Sequence, residues 1–370
     1  MRFAVITQIE HYKAGGKYYS YTPYIKEMNL WFNHVDAVCI VAPLNSTRPG
    51  EIDIAYERNE IEFKEVPAIN LTSFYQFIKG LIKLPQILVA IYKAMAQADH
   101  IHLRCPGNMG LLGAFIQILF PRKRKTAKYA GNWDPKAKQP WSYRLQKWIL
   151  SNTFLTKNML VLVYGEWPNQ TKNIKPFFTA SYTEADKGAI PARKYDLPLR
   201  FLFVGSLVAG KRPQYAIDLI EELILKGFPS ELHFYGDGIL KEQLRENLNN
   251  DNLKGALYFH GNQKPELVQE AYQKSHFLIL PSKSEGWPKV CAEAMWWGTL
   301  PLVTPVSCVP FMVGKSERGI FINSNLDVDI AELIPILKNK EQLKLMANKA
   351  SNWSRAYTLD RFNADIKKLL

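Results

Sequence analysis

The sequence predicts an α/β chain built as two doubly wound, parallel-sheet domains facing a central cleft. Three observations carry this reading. At 370 residues the chain exceeds one ordinary hydrophobic core, since domains run to about 150 residues. Short apolar runs alternate with helix-length segments from end to end, the pattern of successive βαβ units. A fresh strand, FLFVG from Phe201, opens directly after the proline-bearing stretch Ile190–Leu199, IPARKYDLPL. The expected domains are therefore 1–190 and 191–352, with 353–370 a C-terminal helix and a candidate to cross back to the first domain.

In chain order, the strands expected in the first half are Phe3–Thr7, Ala37–Ala42, His100–Leu103, Ala127–Ala130, Leu160–Val163 and Phe177–Ala180. Those of the second half are Phe201–Val204, Glu231–Tyr235, Leu257–His260, Phe277–Leu280 and Pro301–Thr304. Helices are expected over Ser73–Gln97 (kinked or split at Pro85), Met109–Phe120, Arg212–Leu225, Leu240–Asn249 and Pro265–Lys274. In such open sheets ligands sit beyond the carboxyl ends of the strands.

Composition narrows the function classes. Hydrophobic residues at 47% and charged residues at 22% argue against a disordered chain. The four cysteines are scattered with no close pair, against a zinc site or a disulfide framework and in favour of a reducing, cytoplasmic setting. The apolar core at Phe3–Ile6 is too short for a signal peptide, and no window reaches the roughly 18 apolar residues of a spanning helix. Net charge is +13. It is concentrated in residues 1–190, which hold 24 Lys/Arg against 14 Asp/Glu, whereas 191–370 hold 23 against 20. A basic first half implies an anionic partner. Its sharpest cluster, Pro121–Lys125 (PRKRK), reads either as a solvated helix end or as an anchor against anionic lipid at the inner membrane face.

The stretch Ser284–Gly298, SEGWPKVCAEAMWWG, carries the most chemistry. Pro288 suits a first helical position, and Gly298 with Pro301 supplies the stop signal. Glu285 then lies on the preceding loop and Glu293 inside the helix. An amide-lined helix tip favours phosphate, and carboxylates beside it suit sugar hydroxyls. The alternative is a helix cap and a solvated glutamate. The apolar neighbours Cys291, Ala292, Ala294, Met295, Trp296 and Trp297 demand a partner for Glu293. Phe201–Lys211, FLFVGSLVAGK, brings a lysine to a strand–loop–helix junction, where it can reach a phosphate or remain solvated. Arg212 stands where a P-loop needs Ser or Thr, which excludes a P-loop. In Phe234–Leu240, FYGDGIL, Gly236 and Gly238 allow close backbone approach. Gly16, after Gly15, is either a phosphate-facing position or a plain turn.

Taken together, VGSLVAGK, FYGDGIL, YFHGNQ, LPSKSEGWPKVCAEAM and GTLPLVTPVSCVP resemble the donor domain of the family-four retaining glycosyltransferases (glycosyltransferase group 1), which have the GT-B fold of two Rossmann-like domains. Glu285 and Glu293 match that family's E-x7-E motif. The resemblance implies a retaining transfer from a nucleotide-diphosphate sugar to a lipid-linked or cell-surface polysaccharide precursor, with no cofactor, no metal and no nucleic acid. It implies Lys211 at the donor diphosphate, aided by Gly205 and Arg212. It implies Glu293 at the ribose and Glu285, the catalytic candidate, at the transferred sugar, with the backbone of Gly286, Trp287, Pro288 and Lys289 beside sugar and phosphates. Gly16 would face the phosphates from the other domain.

Two departures stand out. Ser206 follows Gly205 where the family commonly has arginine, and KYAGNWDP (Lys128–Pro135) replaces a region that often carries histidine. Asn132, His102, Arg104, Glu166 and Trp167 are the remaining acceptor-side candidates. For His102 the alternative is a buried strand histidine, and for Glu166 and Trp167 a packed loop. A nucleotide-sugar 2-epimerase, a basic anion- or nucleic-acid-binding protein and an inactive sugar-binding relative stay open as alternatives.

Overall fold

The first unit is a seven-stranded, all-parallel sheet whose order across the sheet is Ile174–Phe177, Met159–Tyr164, Arg124–Tyr129, His100–Cys105, Arg2–Ile6, Ala37–Ala42 and Ile61–Glu65. Its inner strands are buried on both faces, as in a helix-covered parallel sheet; Phe3 to Ile6, for instance, are fully buried. In the computed structural model, which describes residues 1–50, 52–68 and 74–370, this unit comprises Met1–Phe177 and Phe362–Leu370. The second unit, Phe178–Arg361, is a six-stranded parallel sheet. Its order is Leu257–Gly261, Ser230–Tyr235, Leu199–Val204, Phe277–Leu280, Leu300–Val303 and Ile320–Phe321. Two doubly wound parallel sheets are what the alternating pattern predicts.

The structure differs from the sequence reading in several places. The strand expected over Phe177–Ala180 is instead Ile174–Phe177, at the sheet edge. Pro176 lacks the N–H a central strand would use, and an edge tolerates it. The helix Phe74–Gln97 continues through Pro85, and its expected start at Ser73 lies outside the described residues. Helix Asn108–Ile116 gives way to a 3₁₀ turn at Gln117–Leu119, where Leu119 is exposed, so this apolar stretch is only partly buried. Strands missing from the sequence reading include the edge strand Ile61–Glu65 and a small sheet of Leu44–Asn45, His11–Ala14, Lys17–Tyr21 and Asp53–Ala55. Gly15 and Gly16, at φ of 56° and 77°, form the two-residue turn between its antiparallel strands, a geometry that by itself calls for glycine. Among the described residues no helix is long and apolar enough to cross a membrane.

The basic run Pro121–Lys125 is not a helix end. It turns into strand Arg124–Tyr129, and two of its cations cap helices. Lys123 Nζ donates to the carbonyls of Ala96 and Ala98, each at 2.6 Å, and the buried Lys125 donates to those of Phe120 (2.9 Å) and Gln117 (3.3 Å). These carbonyls lie at or just past the ends of helices Phe74–Gln97 and Gln117–Leu119, where further donors are accommodated.

The stretch Ile190–Leu199 lies within the second unit and is anchored there. Arg193 Nε donates to Ser275 O (2.6 Å), Nη1 to Trp297 O (2.6 Å), and Nη2 to Tyr272 O (2.7 Å) and Thr299 Oγ1 (2.8 Å). One guanidinium thus closes the ends of helices Pro265–Lys274 and Lys289–Trp296. Residues 353–370 also divide: Phe362–Leu370 belong with the first unit and the rest with the second.

The first unit buries three neutral imidazoles. Burial lowers His11 and His100 to about 4, and His102 further. Groups whose folded values lie below the unfolded 6.5 contribute fully above that pH, and their contribution falls as pH drops toward 4. Each imidazole should therefore cost about 1.4 kcal/mol per pH unit across this window. Melting curves at pH 7.5, 6 and 5 should show the loss, and His100→Asn should flatten it; a melting temperature flat over this range contradicts the assignment.

Candidate functional site

The second unit's chain runs outward from strand Leu199–Val204 to one edge, returns, and continues from Phe277–Leu280 to the other. These two strands are neighbours, with Phe201 beside Phe277 and Leu202 beside Leu278, so the strand order reverses between them. Crevices at such a switch point are where doubly wound sheets bind ligands. The loop after the first strand carries Gly205–Arg212, and the loop after the second carries Pro281–Pro288.

The two loops are joined directly. Lys283 N donates to Gly210 O at 2.9 Å, and Lys211 Nζ donates to Glu285 Oε1 at 2.5 Å. The Glu285 carboxylate is 8% exposed and the lysine 29%, so the pair lies half-sheltered at the switch point. Glu285 is further fixed through its own N–H, which donates to Ser307 Oγ at 3.1 Å. The loop backbone is held by Cys308 Sγ, which donates to Gly286 O at 2.8 Å. A third loop packs against the first, and here glycine is obligatory. A Cβ on Gly236 would stand 2.1 Å from Gly205 O, and one on Gly238 2.5 Å from Leu207 O. The space is taken by backbone bonds, Gly205 N to Tyr235 O and Leu207 N to Asp237 O, both 2.9 Å.

Helix Lys289–Trp296 begins one residue later than the sequence suggests. Pro288 is its cap, accepting from Cys291 N (3.0 Å) and Ala292 N (3.3 Å). Glu285 therefore precedes the helix by a loop, and helical rotation does not set its direction relative to Glu293. Glu293 has the partner its apolar setting demands, since Ser181 Oγ donates to it at 2.5 Å and Tyr272 OH at 3.1 Å. Burial, and then the Glu293 charge, raise the Tyr272 hydroxyl well above its ordinary value, keeping it a donor. Lys289 and Glu293 border one small recess with Ser181 and Tyr182.

Three further sequence candidates are held by their own surroundings. The Trp287 ring is buried among Trp353, Tyr357, Phe311 and Phe178, so it anchors the loop and leaves only backbone for a ligand. Arg212, in the left-handed region at φ 51°, donates to Ser324 Oγ at 2.6 Å. Gly16 occupies the hairpin tip described above.

In the first unit, His102 is a core side chain. It is fully buried, bonded to Thr126 Oγ1 at 2.8 Å and packed on Trp31. Asn132 folds its own turn by accepting from Asp134 N at 2.9 Å. Trp167 packs on the core and donates to Tyr164 O at 2.8 Å, while Glu166 is exposed. Arg104 is 9% exposed and forms an ion pair with Glu27, which also accepts from the buried Lys128 at 2.8 Å. This cluster at the carboxyl ends of two adjacent strands was not legible in the sequence, because Glu27 lies on helix Thr22–Phe32, far along the chain. Among the described residues no group of three His, Cys, Asp or Glu is arranged to hold a metal.

Comparison with known proteins agrees with this geometry. The family model "Glycosyl transferases group 1" matches residues 191–353. An uncharacterized glycosyltransferase of Methanocaldococcus jannaschii is 24% identical over 169 residues, 45% of this chain and 46% of that protein. The chain spans about half the length of the curated relatives it matches. Among solved structures, the lipopolysaccharide outer core galactosyltransferase WaaB superposes with a TM-score of 0.69 at 15% identity, covering 100% of this chain and 99% of that one. Anabaena HepE in complex with UDP and glucose superposes with a TM-score of 0.67 at 12% identity, covering 100% and 98%. At such identities the likeness concerns the fold, which is the GT-B type. The segment 191–353, which holds the switch-point loops and the Glu285–Glu293 spacing, matches the family of group 1 glycosyl transferases.

Proposed function

We propose that the chain transfers a sugar from a nucleoside-diphosphate sugar to a hydroxyl of a glycan or lipid-linked acceptor, with retention at the anomeric carbon. The observation that carries this is the Lys211–Glu285 pair on two loops at the switch point of a group 1 domain. The UDP and glucose held by the Anabaena neighbour support a uridine donor.

The pair suggests an exchange of partners. As the diphosphate arrives, the Lys211 ammonium turns to it and offsets the charge that grows as the anomeric C–O bond breaks. Glu285 is then released to accept hydrogen bonds from sugar hydroxyls, while Ser181 and Tyr272 hold Glu293 ready for the ribose diol. The acceptor oxygen forms the new bond, and its proton leaves with the diphosphate. Closely placed reactants and preset charges supply the rate in this scheme.

Lys211→Met should lower kcat/KM by about 10² to 10³, the scale of losing one preset charge donor, and weaken UDP binding. Glu293→Ala should weaken UDP binding with turnover less affected, and Glu285→Ala the reverse. The assay is UDP release from UDP-glucose with and without acceptor. Release that does not depend on an acceptor, or equal losses from both glutamate variants, would falsify this assignment.

A further inference from the structure

The first unit holds a cleft that the proposed reaction does not use. It has a volume of about 680 Å3, within the range of small-molecule sites. Its walls are the starts of four adjacent parallel strands: His100, Arg124 and Met159 open three of them, and Asn173 precedes the fourth. It therefore lies at the end of the sheet opposite the carboxyl ends, where substrates of doubly wound folds bind.

Its charge is of one sign. Arg124, Lys125, Lys157, Lys172, Lys175 and Lys368 line it, and no aspartate or glutamate does. Some of these cations are engaged: Lys125 with helix carbonyls, Lys368 with Asp365 at 3.0 Å, and Arg124 with the Leu370 carbonyl oxygen. Lys157, Lys172 and Lys175 are exposed and form no ion pair among the described residues. Gathering like charges costs free energy unless an anion joins them. A second observation points the same way. His100 lines the cleft and is 1% exposed, yet its Nδ1 has no hydrogen-bond partner while Nε2 is bonded to Thr126 Oγ1 at 2.9 Å. A buried polar atom left without a partner is uncommon in a finished core.

We infer that this cleft is a second binding site, taking a ligand with two or more clustered phosphate groups. Phosphate suits the ammonium groups of Lys157 (which lies over the Phe154 ring), Lys172 and Lys175 as point charges, and the concave wall suits a compact polyanion. Two sources carry that chemistry, a soluble polyphosphorylated molecule and a lipid headgroup bearing two phosphates.

The test uses the full chain at about 0.15 M salt, where weak surface attraction is largely screened. Inorganic tripolyphosphate is titrated calorimetrically, and sedimentation is measured with vesicles of cardiolipin and phosphatidylcholine against phosphatidylcholine alone. Both are repeated on the triple variant Lys157→Glu, Lys172→Glu, Lys175→Glu, and on its glutamine counterpart to separate charge from folding. We expect the wild type to bind at least one probe, and the glutamate variant to bind it at least about tenfold more weakly. The glutamine variant should fall between them, and UDP affinity should not change. Tripolyphosphate binding assigns a soluble ligand, and binding to anionic vesicles alone assigns the headgroup. Failure of the wild type to bind either probe, or equal binding by all three proteins, overturns the inference. Neither result depends on whether the second unit transfers sugar.

Discussion

Replacing Glu27 by leucine is expected to unfold the first unit at temperatures where the native chain is intact. Arg104 and Lys128 sit on adjacent strands in register, are 9% and 1% exposed, and share the Glu27 carboxylate. The lysine ammonium is also ringed by Phe362 at 4.8 Å, Tyr164 at 5.4 Å and Phe177 at 5.5 Å. Removing the shared anion takes the carboxylate from the buried Arg104 guanidinium and one partner from Lys128. Lysine can shed its proton when desolvated, but arginine cannot. Breaking a buried pair from one side costs about 3–5 kcal/mol, a large part of the roughly 5–15 kcal/mol that holds a domain. Lys128→Met should cost much less, because Glu27 and Arg104 then remain a matched pair. Urea denaturation of both variants checks this, and a Glu27→Leu midpoint equal to that of Lys128→Met would refute it.

Arg193→Met should weaken the second unit by about 3 kcal/mol, because the Trp297 carbonyl loses this donor while those of Tyr272 and Ser275 keep only Thr299 Oγ1 and local backbone, and a buried group left unmet costs about 1–3 kcal/mol. Burial pulls this guanidinium down to about 10, so it is still charged at neutral pH. The carbonyls it serves belong to Tyr272, Ser275 and Trp297, at the ends of the helices that carry Tyr272 and Glu293. UDP affinity should therefore fall along with the melting temperature. Arg193→Lys should recover part of the stability, since one ammonium cannot reach every acceptor of the planar fork. A methionine variant that melts with the wild type would show that water replaces the guanidinium.

The inner strands of both parallel sheets and the Glu285 and Glu293 positions were readable because each has a local signature. Phe277–Leu280 is a bare apolar run, and Pro265–Lys274 begins at a proline and ends before a serine. What escaped was set by contacts distant in sequence. Glu27 reaches Lys128 across 101 positions and Arg193 reaches Trp297 across 104, and no spacing rule spans such gaps. Ile190–Leu199 looked like a linker because its prolines and charges are loop-like, yet Arg193 points inward and Tyr195 is 2% exposed. Pro121–Lys125 looked like one basic patch because its composition does not reveal that Lys123 and Lys125 are consumed by helix ends.

The ring that closes over Lys128 comes from Phe362, and Ile366 beside it in sequence is fully buried. These residues leave the ribosome only after Phe178–Arg361 has been made. At about 5–20 residues per second, that interval is on the order of 10–40 s. Throughout it the earlier-made half waits with a gap beside a charged group, exposed to proteases and holdase chaperones, until Phe362–Leu370 seal it.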